Sequence, residues 1–164
     1  MATGFALKKN GNTFNFYSQN TGQMNSWITF LDLFVIHRKI KENYKITQCI
    51  GKGSFAQVFL ASLRTKQKNN PLLAHAPSTL AIKSLTKETM KVNKQSLDNV
   101  KTEIQILNSL RSCQNILQLD KVYEGQEHIY LAMHYEKGGT VTSRVRSKGP
   151  FNESTLMQFA EILF

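Results

Sequence analysis

Apolar and polar residues along this chain change period several times, and each change marks an element. Phe14 and Phe16 alternate with Asn15 and Tyr17, the pattern of a half-buried strand over residues 13–18, and residues 5–9 read as its partner. Asn10-Gly11-Asn12 between them is a tight hairpin signal, because Asn and Gly tolerate positive φ. Met24, Trp27, Ile28, Leu31, Phe34 and Val35 recur at three- and four-residue steps, which predicts one helix over 21–38 with an inward Trp27. Residues 39–43 are polar and charged and predict a linker at a domain boundary. From Tyr44 onward the pattern turns to strands, with 58–63 and 80–85 following. Residues 65–78, with two prolines, predict an exposed connection. A helix over 97–110 carries Val100, Ile104 and Leu107 on one face, with Glu103 beside them. Strands over 116–123 and 129–135 flank the turn Glu124-Gly125-Gln126-Glu127. Gly138-Gly139 breaks the chain, 140–148 predicts a short helix, and Pro150 opens another that reaches Phe164.

The fold class predicted is α+β, in three parts: residues 1–38, the linker 39–43, and 44–164. A length of 164 residues fits one domain or one and a part. The 41% hydrophobic content excludes disorder and collagen. A net charge of +10 is spread along the chain without a basic block, so it describes a solvated surface and no nucleic-acid partner is expected. Cys49 and Cys113 stand in no metal-ligand spacing and predict reduced thiols. No run of 18 apolar residues and no secretory pattern occurs, so a cytoplasmic location is the expectation.

Four pieces carry candidate chemistry. Gly51-Lys52-Gly53-Ser54-Phe55-Ala56-Gln57-Val58 places two glycines one residue apart between strands, where backbone N–H groups can approach an anion such as phosphate. No Gly-Lys-Ser/Thr follows, and a strand rather than a helix comes next, which excludes the P-loop and the dinucleotide fingerprint. Leu80-Ala81-Ile82-Lys83 ends an apolar strand in a lysine, and a half-buried ammonium needs a counter-charge. Glu103 on the following helix is the obvious partner. Ile129 to Gly139 runs from an apolar strand into extended chain, which can offer C=O and N–H groups to a purine edge, with Ile50, Val58 and Ala81 as apolar contacts above the ring. Taken singly, each piece has a plainer explanation: a turn, a snorkelling lysine, an exposed glutamate, a last strand.

Their order and spacing resemble the eukaryotic protein kinases over 44–164, covering the small lobe and the first helices of the large lobe. The resemblance implies a five-stranded antiparallel sheet with one main helix, and ATP as ligand. It implies that Lys83 contacts the α- and β-phosphates and that Glu103 is its ion-pair partner. Gly51, Gly53 and Ala56 fall on the three glycine positions, Ala56 being a departure that stiffens the loop. Lys52 and Ser54 belong to the same loop, and Phe55 is similar to its aromatic tip. Met133 resembles the gatekeeper, and the backbone of His134 and Glu136 would bond adenine. Leu107 and Leu119 resemble the apolar residues stacked behind the ion pair. The family's His-Arg-Asp loop is not found after residue 135, and Asp-Phe-Gly is not found at all. The chain is therefore expected to be a truncated product, with magnesium ligands only in a full-length form that phosphorylates protein Ser/Thr. The alternatives are a pseudokinase-like nucleotide-binding or interaction module, and a membrane-associated adaptor. Residues 4–38, as two strands, Asn-Gly-Asn and a helix bearing a tryptophan, resemble the end of a pleckstrin-homology domain. The phosphoinositide-contacting early strands of such a domain are not in this chain, which weakens the expectation of lipid contact.

Overall fold

The computed structural model describes residues 3–32, 34–53, 56–64, 77–92 and 94–163. Strands β1 (Thr3–Lys9) and β2 (Asn12–Ser18) form an antiparallel hairpin. Its turn uses the conformations the sequence called for: Asn10 has φ 50° and Gly11 φ 82°. Gly4 is required for a different reason. A Cβ there would lie 2.6 Å from the Phe16 carbonyl and from the Tyr17 ring, a clash that neither side can relieve cheaply.

Helix α1 (Thr21–Asp32) packs against both strands of the hairpin. It is shorter than the predicted 21–38. The Phe34 N–H donates to the Leu31 carbonyl three residues back at 2.9 Å, tightening the last turn, the Val35 N–H shares that carbonyl at 3.1 Å, and Ile36–His37 then forms strand β3. The one-face prediction also fails in part. Met24 is buried, but Trp27 is 52% exposed, lining rather than filling a cavity of about 360 Å³ with Phe5, Leu7, Phe16 and Leu31.

Residues 40–43, expected as linker, are the helical turn α2 (Ile40–Asn43). Ile40 is buried, and Asn43 donates Nδ2–H to the Tyr123 hydroxyl at 3.1 Å. The polar composition of this stretch concealed one apolar anchor.

Five further strands follow: β4 (Tyr44–Lys52), β5 (Ala56–Leu63), β6 (Thr79–Thr86), β7 (Leu119–Glu124) and β8 (His128–His134). The sheet order is β3-β7-β8-β6-β5-β4. Among the described residues it has six strands rather than five, because β3 adds to β7 in parallel at the edge; the remaining pairings are antiparallel as expected. Helix α3 (Lys87–Val92), not foreseen, leads into α4 (Lys94–Ser109). After the sheet come α5 (Val141–Lys148) and α6 (Glu153–Leu163). Thr140 caps α5, accepting the Ser143 N–H at 3.1 Å. Of the predicted connection over 65–78, residues 65–76 lie outside the described residues.

The central strands β6 and β8 bury residues on both faces, and β8 reads accordingly as a continuous apolar run from Ile129 to Met133. On one face Tyr44, Ala61, Leu80, Ile82, Tyr123 and Ala132 pack beneath Ile40. On the other, Leu85, Leu119, Val122, Leu131 and Met133 pack with Val100 of α4, and Ile104 and Leu107 rest against them. Each large side chain fully buried this way contributes about 1.5–3 kcal/mol.

Candidate nucleotide site

Period-two alternation decides which side chains share the site. Cross-strand partners lie on the same face. Val58 pairs with Lys83, Lys83 with Leu131, and Ala81 with Met133. Val58, Ala81, Lys83 and Met133 are therefore assembled on the face that α4 covers, as the sequence reading required.

Lys83 Nζ donates to both carboxylate oxygens of Glu103, at 2.7 and 2.8 Å. The side chains retain 27% and 35% of their exposure, so the pair is screened from water without being sealed from it. An exposed pair is worth about 0–1 kcal/mol, and breaking a fully buried one costs about 3–5. This pair lies between those limits. Its geometric consequence is larger than its energy: the ammonium is fixed between β6 and α4. Behind it, Leu119 is buried and Leu107 packs against the same cluster.

The glycine loop continues β4 into β5. Gly53 N–H donates to the Ala56 carbonyl at 2.9 Å and closes the turn, so that donor is spent within the loop. Packing among the described residues does not explain either glycine. A Cβ on Gly51 would meet Val58 at 3.6 Å, and one on Gly53 would meet the Ala56 carbonyl at 3.7 Å, both ordinary contacts. Neither has positive φ. Their smallness leaves room for a group approaching from outside. Ser54 and Phe55 lie outside the described residues.

Lys52 departs from expectation. It pairs with Gln57, and Gln57 with Ser84, which places its side chain on the face opposite Lys83. There it lines a cavity of about 190 Å³ with Gln57, Ser84, Thr86 and Thr89. A side chain next to a glycine in a strand must alternate away from the cleft, and the sequence motif alone hides this. Ile50 sits in a register shift between Cys49 and Gly51 and is 38% exposed.

At the end of β8, Met133 is buried and His134 exposed. The His134 N–H donates to the Gln118 carbonyl at 3.0 Å, so a contact from its backbone to a ligand falls to the carbonyl. Glu136 follows in exposed chain outside any helix or strand before Gly139 turns with φ 71°. Among the described residues no three His, Cys, Asp or Glu side chains gather where they could hold a metal ion.

Two features of the site's support had no sequence signal. Lys121 on β7 is buried and ion-paired with Asp32 at the end of α1, and His37 Nε2 lies 3.1 Å from the same carboxylate. Burial pushes the Asp32 carboxyl up, but hydrogen bonds from His37 and Lys121 outweigh it and hold the group below its ordinary value. Beside it, Asp120 is raised by burial, with Lys121, His134 and Arg111 only partly opposing, and its Oδ2 has no hydrogen-bond partner among the described residues. Burial pushes the Tyr123 hydroxyl up to about 12, and Tyr44 is raised further for the same reason.

This arrangement agrees with what the chain is similar to. The model of the protein kinase domain matches residues 44–164. Calcium/calmodulin-dependent protein kinase type 1 of Caenorhabditis briggsae is 32% identical over 114 residues, covering 70% of this chain and 28% of that protein. The protein of the same description from Macrobrachium nipponense is 33% identical, covering 70% and 29%. Calcium-dependent protein kinase 12 of Arabidopsis thaliana is 28% identical over 117 residues, covering 71% and 21%. The chain thus spans less than a third of the length of these relatives. With a glycine loop, a lysine held by a helix-borne glutamate, and this match over three quarters of its length, the chain belongs to the protein kinase family.

Proposed function

We propose that this chain supplies the ATP-facing part of a protein kinase domain whose full-length form transfers the γ-phosphoryl group of ATP to protein Ser/Thr. One observation carries the reading: Lys83, fixed by both oxygens of Glu103, stands on the same sheet face as Val58, Ala81 and Met133. Lys83 would hold the α- and β-phosphates as a positioned point charge. Val58 and Ala81 would cover the adenine ring, Met133 would bound its inner edge, and the backbone at His134 and Glu136 would meet its polar edge. The glycines that packing leaves unexplained would admit the phosphates close to the backbone.

In the family, magnesium neutralises the phosphates during transfer. Among the described residues no three His, Cys, Asp or Glu side chains gather to hold it. We read the chain on its own as binding nucleotide without turnover. Residues 1–38 we read as the closing hairpin and helix of a pleckstrin-homology-like unit, supported by the antiparallel β1–β2 pair followed by α1.

Titration of a fluorescent ATP analogue tests the central claim. Lys83→Met is expected to weaken binding at least about tenfold, or about 1.4 kcal/mol, with a thermal midpoint within a few degrees of the parent. Equal affinity in the two proteins would overturn the role given to Lys83.

A further inference from the structure

The segment joining α1 to the sheet does more than connect. β3 pairs in parallel with β7, Ile36 opposite Val122 and His37 opposite Tyr123. One residue before that pairing, Lys121 is 7% exposed and ion-paired with Asp32, whose carboxylate also meets His37. A buried ammonium is tolerable only while its counter-charge stays in place, so Asp32 cannot leave without a penalty on β7 itself.

β7 is the strand on which the ion-pair helix rests. Leu119 and Val122 share one buried cluster with Val100 of α4, against which Ile104 and Leu107 pack. Arg111, just beyond α4, bonds Asn108 at 3.0 Å and reaches the Asp120 carbonyl at 3.5 Å. Glu103 projects from the middle of this same helix to Lys83. A continuous line of contacts therefore runs from Asp32 through Lys121 and β7 to α4, and so to the Lys83–Glu103 pair.

We propose that residues 32–37 are a positioning element for the nucleotide site: Asp32 and β3 clamp β7 against α4 and thereby set Glu103 against Lys83. This rests on the assignment of Lys83 and Glu103 to nucleotide binding. Asp32 and Lys121 are positioning residues, acting through α4 and touching no ligand. Coupling of this kind is reciprocal, so whatever moves α1 changes nucleotide affinity, and nucleotide changes how firmly α1 is docked.

The test uses the full chain and two readouts, affinity for a fluorescent ATP analogue and hydrogen exchange of the α4 amides around Glu103. Asp32→Asn is expected to weaken binding about three- to tenfold and to speed α4 exchange about fivefold or more. Ile36→Pro, at an exposed position where proline disrupts β3 pairing, carries the same expectation if Asp32→Asn does not fold. Ala61→Gly, in the cluster on the opposite face, is the control: with a matched loss of thermal stability, it should leave both readouts within twofold. Unchanged α4 exchange in the folded clamp variants, or equal acceleration in the control, would overturn the proposal. An unmutated chain that fails to bind the analogue would instead overturn the nucleotide assignment, and the exchange readout would still decide whether the clamp sets α4.

Discussion

The two ends of this molecule solve the burial problem differently. The six-stranded sheet has side chains with no exposure at all, Tyr44, Leu80, Ile82, Tyr123 and Leu131 among them. The amino-terminal hairpin and α1 bury Met24 but leave Trp27, Phe30 and Phe34 more than half exposed. These rings meet one another, Phe30 lying 6.3 Å from Trp27 and 5.3 Å from Phe34, without being enclosed. A two-stranded hairpin with one helix is marginal on its own, so its position depends on what it is fastened to. The difference teaches that stability resides in the sheet, and that the amino-terminal unit borrows it through β3 and Asp32.

The largest expected effect lies on the buried side of the comparison. Ile82→Ala should destabilise the fold by about 2–5 kcal/mol in urea unfolding, because the site is sealed on every side and cannot collapse around the lost volume. A loss under ~1 kcal/mol would mean the two ends are less unequal than their burial states.

A smaller effect of opposite sign is expected at the junction. Asp120, raised by burial and lacking a partner for Oδ2 among the described residues, costs the folded state stability once it ionises. Its favourable contribution is present below the ordinary aspartate value and disappears as pH rises through the raised one. Asp120→Asn should therefore stabilise the protein by about 1 kcal/mol at pH 7, with the gain shrinking as pH falls through the raised value and gone once pH is below the ordinary one, about 4. Asp32 has the reverse sign: its contribution is present above the ordinary value and is lost as pH falls through the depressed one. Thermal midpoints measured against pH for the parent and Asp120→Asn separate the two, and a gain independent of pH would refute the account of Asp120.

The smallest effect belongs to the open end. Phe30→Ser should change stability by less than about 0.5 kcal/mol, since the ring is 56% exposed and gives up little on removal. A loss of several kcal/mol would show that the aromatic ridge is covered in solution.

The Lys83–Glu103 pair was legible in the sequence because two local facts implied each other: a lysine ending an apolar strand, and a glutamate flanking the apolar stripe of the next helix. The strands of the sheet were legible from their apolar runs, and the hairpin turn from Asn10-Gly11. The clamp was not. A two-residue strand has no period to detect, and Lys121 in Leu119-Asp120-Lys121-Val122 looks like any surface lysine between polar and apolar neighbours. Its burial is decided by Asp32, 89 positions away. The facing of Lys52 was hidden for the reverse reason, since a motif names residues and not the side of the strand they occupy.

The parallel pairing of β3 also has a consequence in time. Synthesis delivers the hairpin and α1 first, yet their docking strand, β7, is completed only at Glu124. The nascent chain must therefore carry Ile36 and His37 unpaired, and Asp32 without Lys121, while most of the sheet is being made, and contacts this distant in sequence close late and slowly. The amino-terminal unit is the first part of the described protein to be synthesised and, by this topology, among the last to be secured.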